Sequence, residues 1–186
     1  SGFRSKFVEI DGVTVDYPGR LTPRWPNRNS SDQMMMQHHA RRLRKVTGEK
    51  FVLWLFNPRH YEQVSYLQPS AVLFHVRDYF PGMGVWTSEE QYNLDALAER
   101  ADLITIAGEA MGECIPVSAR GKVRLLENGV DAPAYIAGCE EVCPADLAGI
   151  PSPRIGLVGS INSKIDLSSI LKLSKIRNDL QFVFIG

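Results

Sequence analysis

Four short apolar runs, FVLWLF (51–56), AVLFHV (71–76), DLITIA (102–107) and VRLL (123–126), constrain the fold of this 186-residue chain more than any other feature. Each has strand length and none alternates apolar with polar side chains, the pattern of strands buried on both faces of a parallel sheet. Helix-sized segments lie between them, at about 60–67, 87–100 and 109–118. The second is the best marked: Thr87 or Ser88 can cap its start, Glu89 and Glu90 suit the positive end of a helix, and Leu94, Leu97 and Ala98 share one face. Strand and helix alternate, so the expectation is a doubly wound α/β layer with right-handed crossovers.

Upstream, KFVEIDGVTVD (6–16) flanks Asp11-Gly12 with alternating apolar residues and predicts a tight hairpin. YPGRLTPRWPNRNSS carries three prolines and reads as a surface connection. Ser30 or Ser31 is then expected to cap a helix running to Val46, ahead of Gly48. Downstream, 132–153 holds Pro133, Pro144, Pro151 and Pro153 and reads as a linker. A new β-α-β unit follows: RIGLVG (154–159), a helix at 166–176 and LQFVFIG (180–186). The expected organisation is a domain over 1–131, a linker over 132–153 and the start of a second domain over 154–186. Two parallel strands and one helix bury too little surface to stand alone, and the first layer lacks the usual opening strand and glycine-rich turn. The chain is therefore expected to be the middle of a longer protein.

Composition narrows the class. With 21 basic and 21 acidic residues and 44% hydrophobic content, the chain is an ordinary globular protein, with no polybasic arm for nucleic acid. Charge is nonetheless uneven. Residues 1–50 carry ten basic and five acidic side chains, 51–150 six and fourteen, and 151–186 five and two. The basic first block, with Arg41, Arg42, Arg44 and Lys45 on one helix, reads either as a solvated face or as a contact for an anionic partner such as a membrane surface. No apolar run is long enough to span a bilayer, and no signal pattern opens the sequence. Cys114, Cys139 and Cys143 do not form a disulfide framework or a zinc pattern, which points to a reducing compartment. His38-His39 has no companion ligand one turn away, so no metal is expected; Met34-Met35-Met36 reads as core filling on one side of its helix.

The candidate site residues follow from sheet geometry. All strands of a parallel sheet end on one edge, where such folds place ligands. His75 and Asp78 close the second run, and either can orient an acceptor hydroxyl. His75 inside an apolar strand also reads as a hydrogen-bonded core residue. Gly108 and Glu109 follow the third run, and Asn128 and Gly129 the fourth, with Gly129 expected to relax a turn and Asp131 to cap the helical turn from Ala132. In the second unit, the loop Gly159-Ser160-Ile161-Asn162-Ser163-Lys164 offers backbone N–H groups and a helix N-terminus to a diphosphate, with Lys164 as a neutralising charge and Asp166 as the helix cap.

Three segments carry a family resemblance: EEQYNLDALAERADLITIAGEAM (89–111), KVRLLENGVDAPAY (122–135) and DLAGIPSPRIGLVGSINSKIDLSSILKL (146–173), followed by FVFIG (182–186). Together they resemble the glycosyltransferases of the GT-B fold, specifically the retaining group similar to family 4, over about three quarters of the chain, 51–186. The resemblance implies an acceptor-side Rossmann-like domain and the first β-α-β unit of a nucleotide-sugar donor domain. The NGVD loop would border the cleft, with Asp78, the loop 79–86, Glu109 and Asn128 on one wall and Gly159 to Lys164 on the other. The acidic pair that grips the donor in the resembling enzymes would lie beyond Gly186, so the chain alone is expected to be inactive. One departure stands out: Ser160 follows the glycine where the family pattern has arginine, and the lysine comes five residues on rather than six.

The implied function is transfer of a sugar from a nucleotide-diphosphate donor, as co-substrate and without metal or other cofactor, to a carbohydrate or lipid-linked hydroxyl acceptor. Bacterial surface or exopolysaccharide assembly is the expected setting, in the cytoplasm or at the inner face of a membrane. The alternative is a non-catalytic Rossmann-like binding module. A nucleotide-sugar epimerase is disfavoured, because no G-x-G-x-x-G follows a strand.

Overall fold

The computed structural model describes residues 6–17, 30–82, 84, 86–139 and 142–186, and the chain divides into two compact units, 1–129 and 130–186.

The first unit opens with the expected hairpin. Strands β1 (Lys6–Ile10) and β2 (Val13–Tyr17) pair antiparallel in the register Ile10↔Val13. Asp11 and Gly12 have φ of 50° and 78°, so both turn residues are left-handed, as a two-residue hairpin turn of the right twist requires. Helix α1 (Ser30–Thr47) ends at Gly48, whose φ of 75° reverses the chain while its N–H reaches Arg44 O at 3.0 Å. Because the helix already includes Ser30, its capping position and the proline-rich connection at 18–29 lie outside the described residues. Met36 is buried and Met34 exposed, so the methionine run fills space on one side only.

Four parallel strands form the sheet: β3 (Val52–Leu55), β4 (Ala71–Val76), β5 (Leu103–Ile106) and β6 (Val123–Leu125), in the order β3-β4-β5-β6. Register pairs Leu55 with Phe74, Phe74 with Ile104, and Ile104 with Val123. Between β3 and β4 the chain forms a 3₁₀ turn (Pro58–His60) and α2 (Gln63–Leu67); between β4 and β5 it forms α3 (Ser88–Arg100). Thr87 and Glu90 close a reciprocal capping box at the start of α3, as the sequence predicts.

Two expectations about this sheet change. Strand order runs one way with no reversal, so the described strands are wound in a single direction rather than doubly. Right-handed crossovers in a one-way sheet fall on one face, and burial follows. Leu55, Val72, Phe74, Val76, Ile104 and Ile106 share that face with Leu94 and Leu97 of α3. The strands are therefore not buried on both faces: on the other side Val52 is 62% exposed and Trp54 49%, with Phe56 and Leu103 also exposed. The helix expected at 109–118 is instead two 3₁₀ segments, Glu109–Cys114 and Val117–Lys122. Pro116 lacks an N–H and biases Ile115 to the extended conformation it adopts, which breaks a continuous helix there.

In the second unit, β7 (Arg154–Val158) and β8 (Gln181–Ile185) pair in parallel around α6 (Leu167–Ile176). The proline-rich region read as a linker holds two helices, α4 (Ala132–Cys139) and α5 (Ala145–Ala148). Asp131 starts α4 as expected: its Oδ1 accepts from Ala134 N at 3.1 Å. No described residue of this unit is buried.

Core packing should therefore be confined to the first unit. Leu94→Ala, at a fully buried site, is expected to cost about 2–5 kcal/mol in urea unfolding. Leu171→Ala on the exposed face of α6 is expected to cost less than about 0.5 kcal/mol.

Candidate functional site

The carboxyl edge of the parallel sheet gathers the candidate residues of the first unit. Phe56 and Asn57 leave β3, Arg77 and Asp78 leave β4, Gly108 and Glu109 leave β5, and Leu126 to Gly129 leave β6. Ala107 N donates to Val76 O at 3.0 Å and Leu126 N to Ile106 O at 2.9 Å, extending the ladder one residue past each strand. The loops thus start from fixed positions.

Two of them are tied together. Asn57 Oδ1 accepts from Arg59 N at 3.0 Å and, with Pro58, starts the 3₁₀ turn. Arg59 then pairs with Glu90 Oε1, while Glu90 Oε2 accepts from Thr87 N at 2.8 Å. Glu90 is buried, so a carboxylate held there must be compensated, and both its oxygens are. The sequence reading missed Arg59 and assigned Glu90 only to the helix end; the Asn-Pro start signal at 57–58 marks the first of these.

Asp78 is partly exposed, and its Oδ2 lies 3.0 Å from Arg77 Nε. Such an exposed pair contributes little to stability and leaves the carboxylate accessible. Glu109 begins the first 3₁₀ segment after β5 and, with Gly112, Glu113, Arg120 and Val123, lines an open groove of about 320 Å³. Gly108 has φ of −165°, an extended backbone any residue adopts. Gly129 does not take a positive φ, so the turn does not use the freedom that glycine has there, and nothing lies within 4 Å of where its Cβ would stand. Neither backbone strain nor packing demands glycine at 108 or 129.

His75 is settled differently from either reading alone. It is only 7% exposed, and its Nδ1 sits 2.8 Å from Thr105 Oγ1 on the neighbouring strand. Phe56 and Trp54 meet the ring edge-on, with centroids at 5.4 and 6.3 Å. It is hydrogen-bonded as a core residue would be, yet it lies on the sheet face that the helices do not cover. Thr105 was not singled out from the sequence, although it is the polar residue inside β5 and falls opposite His75 in the register.

A larger cavity, about 430 Å³, is lined by Tyr61, Val64, Ser65, Gln68, Pro69 and Arg100. Gln68 and Pro69 lead into β4 and Arg100 leads toward β5, so it opens at the amino edge of the sheet, away from the candidate loops. Parallel sheets place their ligands at the other edge, which the smaller groove reaches at its Glu109 end, while Arg120 and Val123 lead into the start of β6.

In the second unit, Gly159 has φ of +137° with nothing within 4 Å of where a Cβ would stand. Its N–H continues the ladder to Ile185 O at 2.8 Å. Ser160 and Lys164 are exposed, and Asn162 Oδ1 accepts from Lys164 N at 2.9 Å. Asp166 caps α6: Oδ1 accepts from Ser169 N at 3.0 Å and from the Ser168 hydroxyl at 2.9 Å, and Oδ2 from the Ser169 hydroxyl at 2.5 Å. These bonds, the Ser169 hydroxyl foremost, hold the carboxyl at about 2. A carboxylate therefore already satisfies the helix terminus that a diphosphate would use. Any anion bound here must rely on the loop 159–164 itself.

The basic helix face is partly consumed within the fold. Arg42 pairs with Asp16 and lies 4.3 Å from the Phe7 ring centre, and Arg44 donates to Leu67 O at 3.0 Å. Arg41 and Lys45 remain exposed. Cys114 is half-buried with its thiol pushed up by burial, and Cys143 is exposed. Among the described residues no group of three His, Cys, Asp or Glu side chains is placed to hold a metal ion, and no helix is long and apolar enough to cross a membrane.

No protein-family model matches the chain, and no curated protein does. The architecture of the chain is mixed α/β with a four-stranded parallel sheet, compatible with a Rossmann-like fold.

The Asp166 cap gives a pH prediction. Its carboxyl titrates below the ordinary value of 3.8, so its support for α6 is fully present above about pH 4 and is lost as pH falls through about 2. The Ser169 amide resonance should move over that interval in the native protein and stay flat in Asp166→Asn.

Proposed function

We propose that the chain is part of a glycosyltransferase that moves a sugar from a nucleotide-diphosphate donor to a hydroxyl acceptor. The observation that carries this reading is the shared carboxyl edge: Asp78, Glu109 and Asn128 all leave the parallel sheet on the side where α/β folds bind ligands. The family resemblance of 89–111, 122–135 and 146–173 supplies the chemistry. On this reading Asp78 accepts a hydrogen bond from the acceptor hydroxyl and holds it for attack, for which reacting atoms must come within about 3–3.5 Å. Glu109 lines the acceptor groove. Backbone N–H groups of Ser160 to Ser163 and the charge of Lys164 offset the leaving diphosphate, an electrostatic role that needs no protein nucleophile. The proposed acceptor is a carbohydrate or a lipid-linked hydroxyl, and Arg41 and Lys45 are the residues available for an anionic membrane surface.

One observation favours the alternative of a non-catalytic interaction module. Val52, Trp54, Phe56 and Leu103 make one sheet face apolar and exposed, the kind of surface that marks a protein contact. Titration calorimetry of the full-length gene product with a panel of nucleotide-diphosphate sugars separates the two. Micromolar to millimolar binding of one donor is expected; a folded protein that binds none supports the module.

Where transfer is measured, Asp78→Ala should lower turnover by about 10²–10⁴, the range of a lost proton-handling group, while the donor binding constant stays within twofold. A bulky substitution at Gly159 is a weaker test. At φ of +137° any side chain costs about 1–3 kcal/mol of backbone strain, so folding and binding would fall together.

A further inference from the structure

We propose that Thr105 is a positioning residue that locks His75 in the tautomer with the proton on Nε2, which makes His75 a hydrogen-bond donor to a ligand oxygen rather than a general base. The placement of protons between the two side chains decides the tautomer. His75 and Thr105 are 7% and 6% exposed, and Nδ1 and Oγ1 are 2.8 Å apart. Two arrangements fit that distance: the hydroxyl donates to a bare Nδ1, or a protonated Nδ1 donates to the hydroxyl oxygen. In the second, the Thr105 hydroxyl proton needs another acceptor. Among the described residues the Thr105 side chain has no hydrogen-bond partner except the ring nitrogen. Leaving a buried hydroxyl donor unmade is costly, whereas unused lone pairs on the same oxygen are cheap. The hydroxyl therefore donates, Nδ1 accepts, and a neutral ring carries its proton on Nε2.

The register gives that proton a setting. His75 pairs with Thr105 on one side and Phe56 follows Leu55, the partner of Phe74, on the other, so Phe56, His75 and Thr105 form one row across the uncovered face. Phe56 and Trp54, with ring centres 4.9 Å apart, flank the imidazole and have no nitrogen or oxygen atom that accepts from it. Asn93 Oδ1 is the one buried side-chain polar atom left without a partner among the described residues, so His75 Nε2 is not sealed in the core. An N–H beside two exposed aromatic rings suits the hydroxyl oxygens and C–H face of a pyranose, and the ligand named here is a sugar hydroxyl of the acceptor. That assignment rests on the glycosyl-transfer reading; the tautomer does not.

The test separates them. In protein labelled with ¹⁵N-histidine, with the His75 signals identified by their loss in His75→Gln, wild type should show a protonated Nε2 and an unprotonated Nδ1. Thr105→Val should lose that pattern, and Thr105→Ser should restore it. A protonated Nδ1 in wild type, or ring signals unchanged in a folded Thr105→Val, overturns the proposal. The second arm uses the full-length gene product, wild type and variants, and adds a nucleotide-diphosphate sugar and a pyranoside acceptor. If transfer occurs, Thr105→Val should raise the acceptor KM about tenfold, the weight of one hydrogen bond, with Thr105→Ser within twofold of wild type. An unchanged KM removes the ligand role. If wild type transfers nothing, the glycosyl-transfer reading and the sugar assignment fall, while the ring signals still decide the tautomer.

Discussion

The direction in which the sheet is wound is the constraint from which the rest of the first unit follows. With β3, β4, β5 and β6 side by side in sequence order, every right-handed crossover returns over the same face. That face closes over Phe74, Val76, Ile104 and the Leu94–Leu97 stripe of α3 into one core. The same winding sends every strand end, and the loops that carry Asp78, Glu109 and Asn128, to one edge. It also leaves the opposite face, with Trp54, Phe56 and the His75–Thr105 pair, without a helical cover among the described residues.

Glu90 shows how such an edge is held in place. A buried carboxylate is costly alone, yet here one oxygen takes the Thr87 amide and the other the Arg59 guanidinium, so the cap of α3 and the turn after β3 share one anchor. In the second unit Asp166 does the analogous work at the start of α6, but in full exposure and with serine hydroxyls as partners. Both helix starts are thereby occupied by the protein's own carboxylates. Phosphate recognition through a bare helix terminus is closed off in α6, and a donor diphosphate would have to use the Gly159 turn.

Much of this architecture was legible beforehand, and the reasons are local. The four apolar runs are short, bounded and rich in β-branched and aromatic residues, and the hairpin turn at Asp11-Gly12 and the cap at Thr87 follow from side-chain chemistry within a few residues. The faces of the strands were not legible. Val52, Trp54, Leu73 and Leu103 are as apolar as the core residues they alternate with, so the pattern reads as burial on both sides, whereas cover depends on winding order, a long-range property. The segment 109–118 misled because its apolar content suits a helix, while Pro116 breaks it into 3₁₀ turns. Of the candidate site, the edge residues were placed by strand polarity alone. Thr105 became visible only through the register that sets it against His75.

The central claim, that the Gly159 turn receives the diphosphate of a sugar donor, is most directly tested by following backbone amide resonances while a nucleotide-diphosphate sugar is added. The account predicts saturable shifts concentrated at residues 159–164. Shifts confined to the cavity around Tyr61, Gln68 and Arg100, or none with any donor, would contradict it.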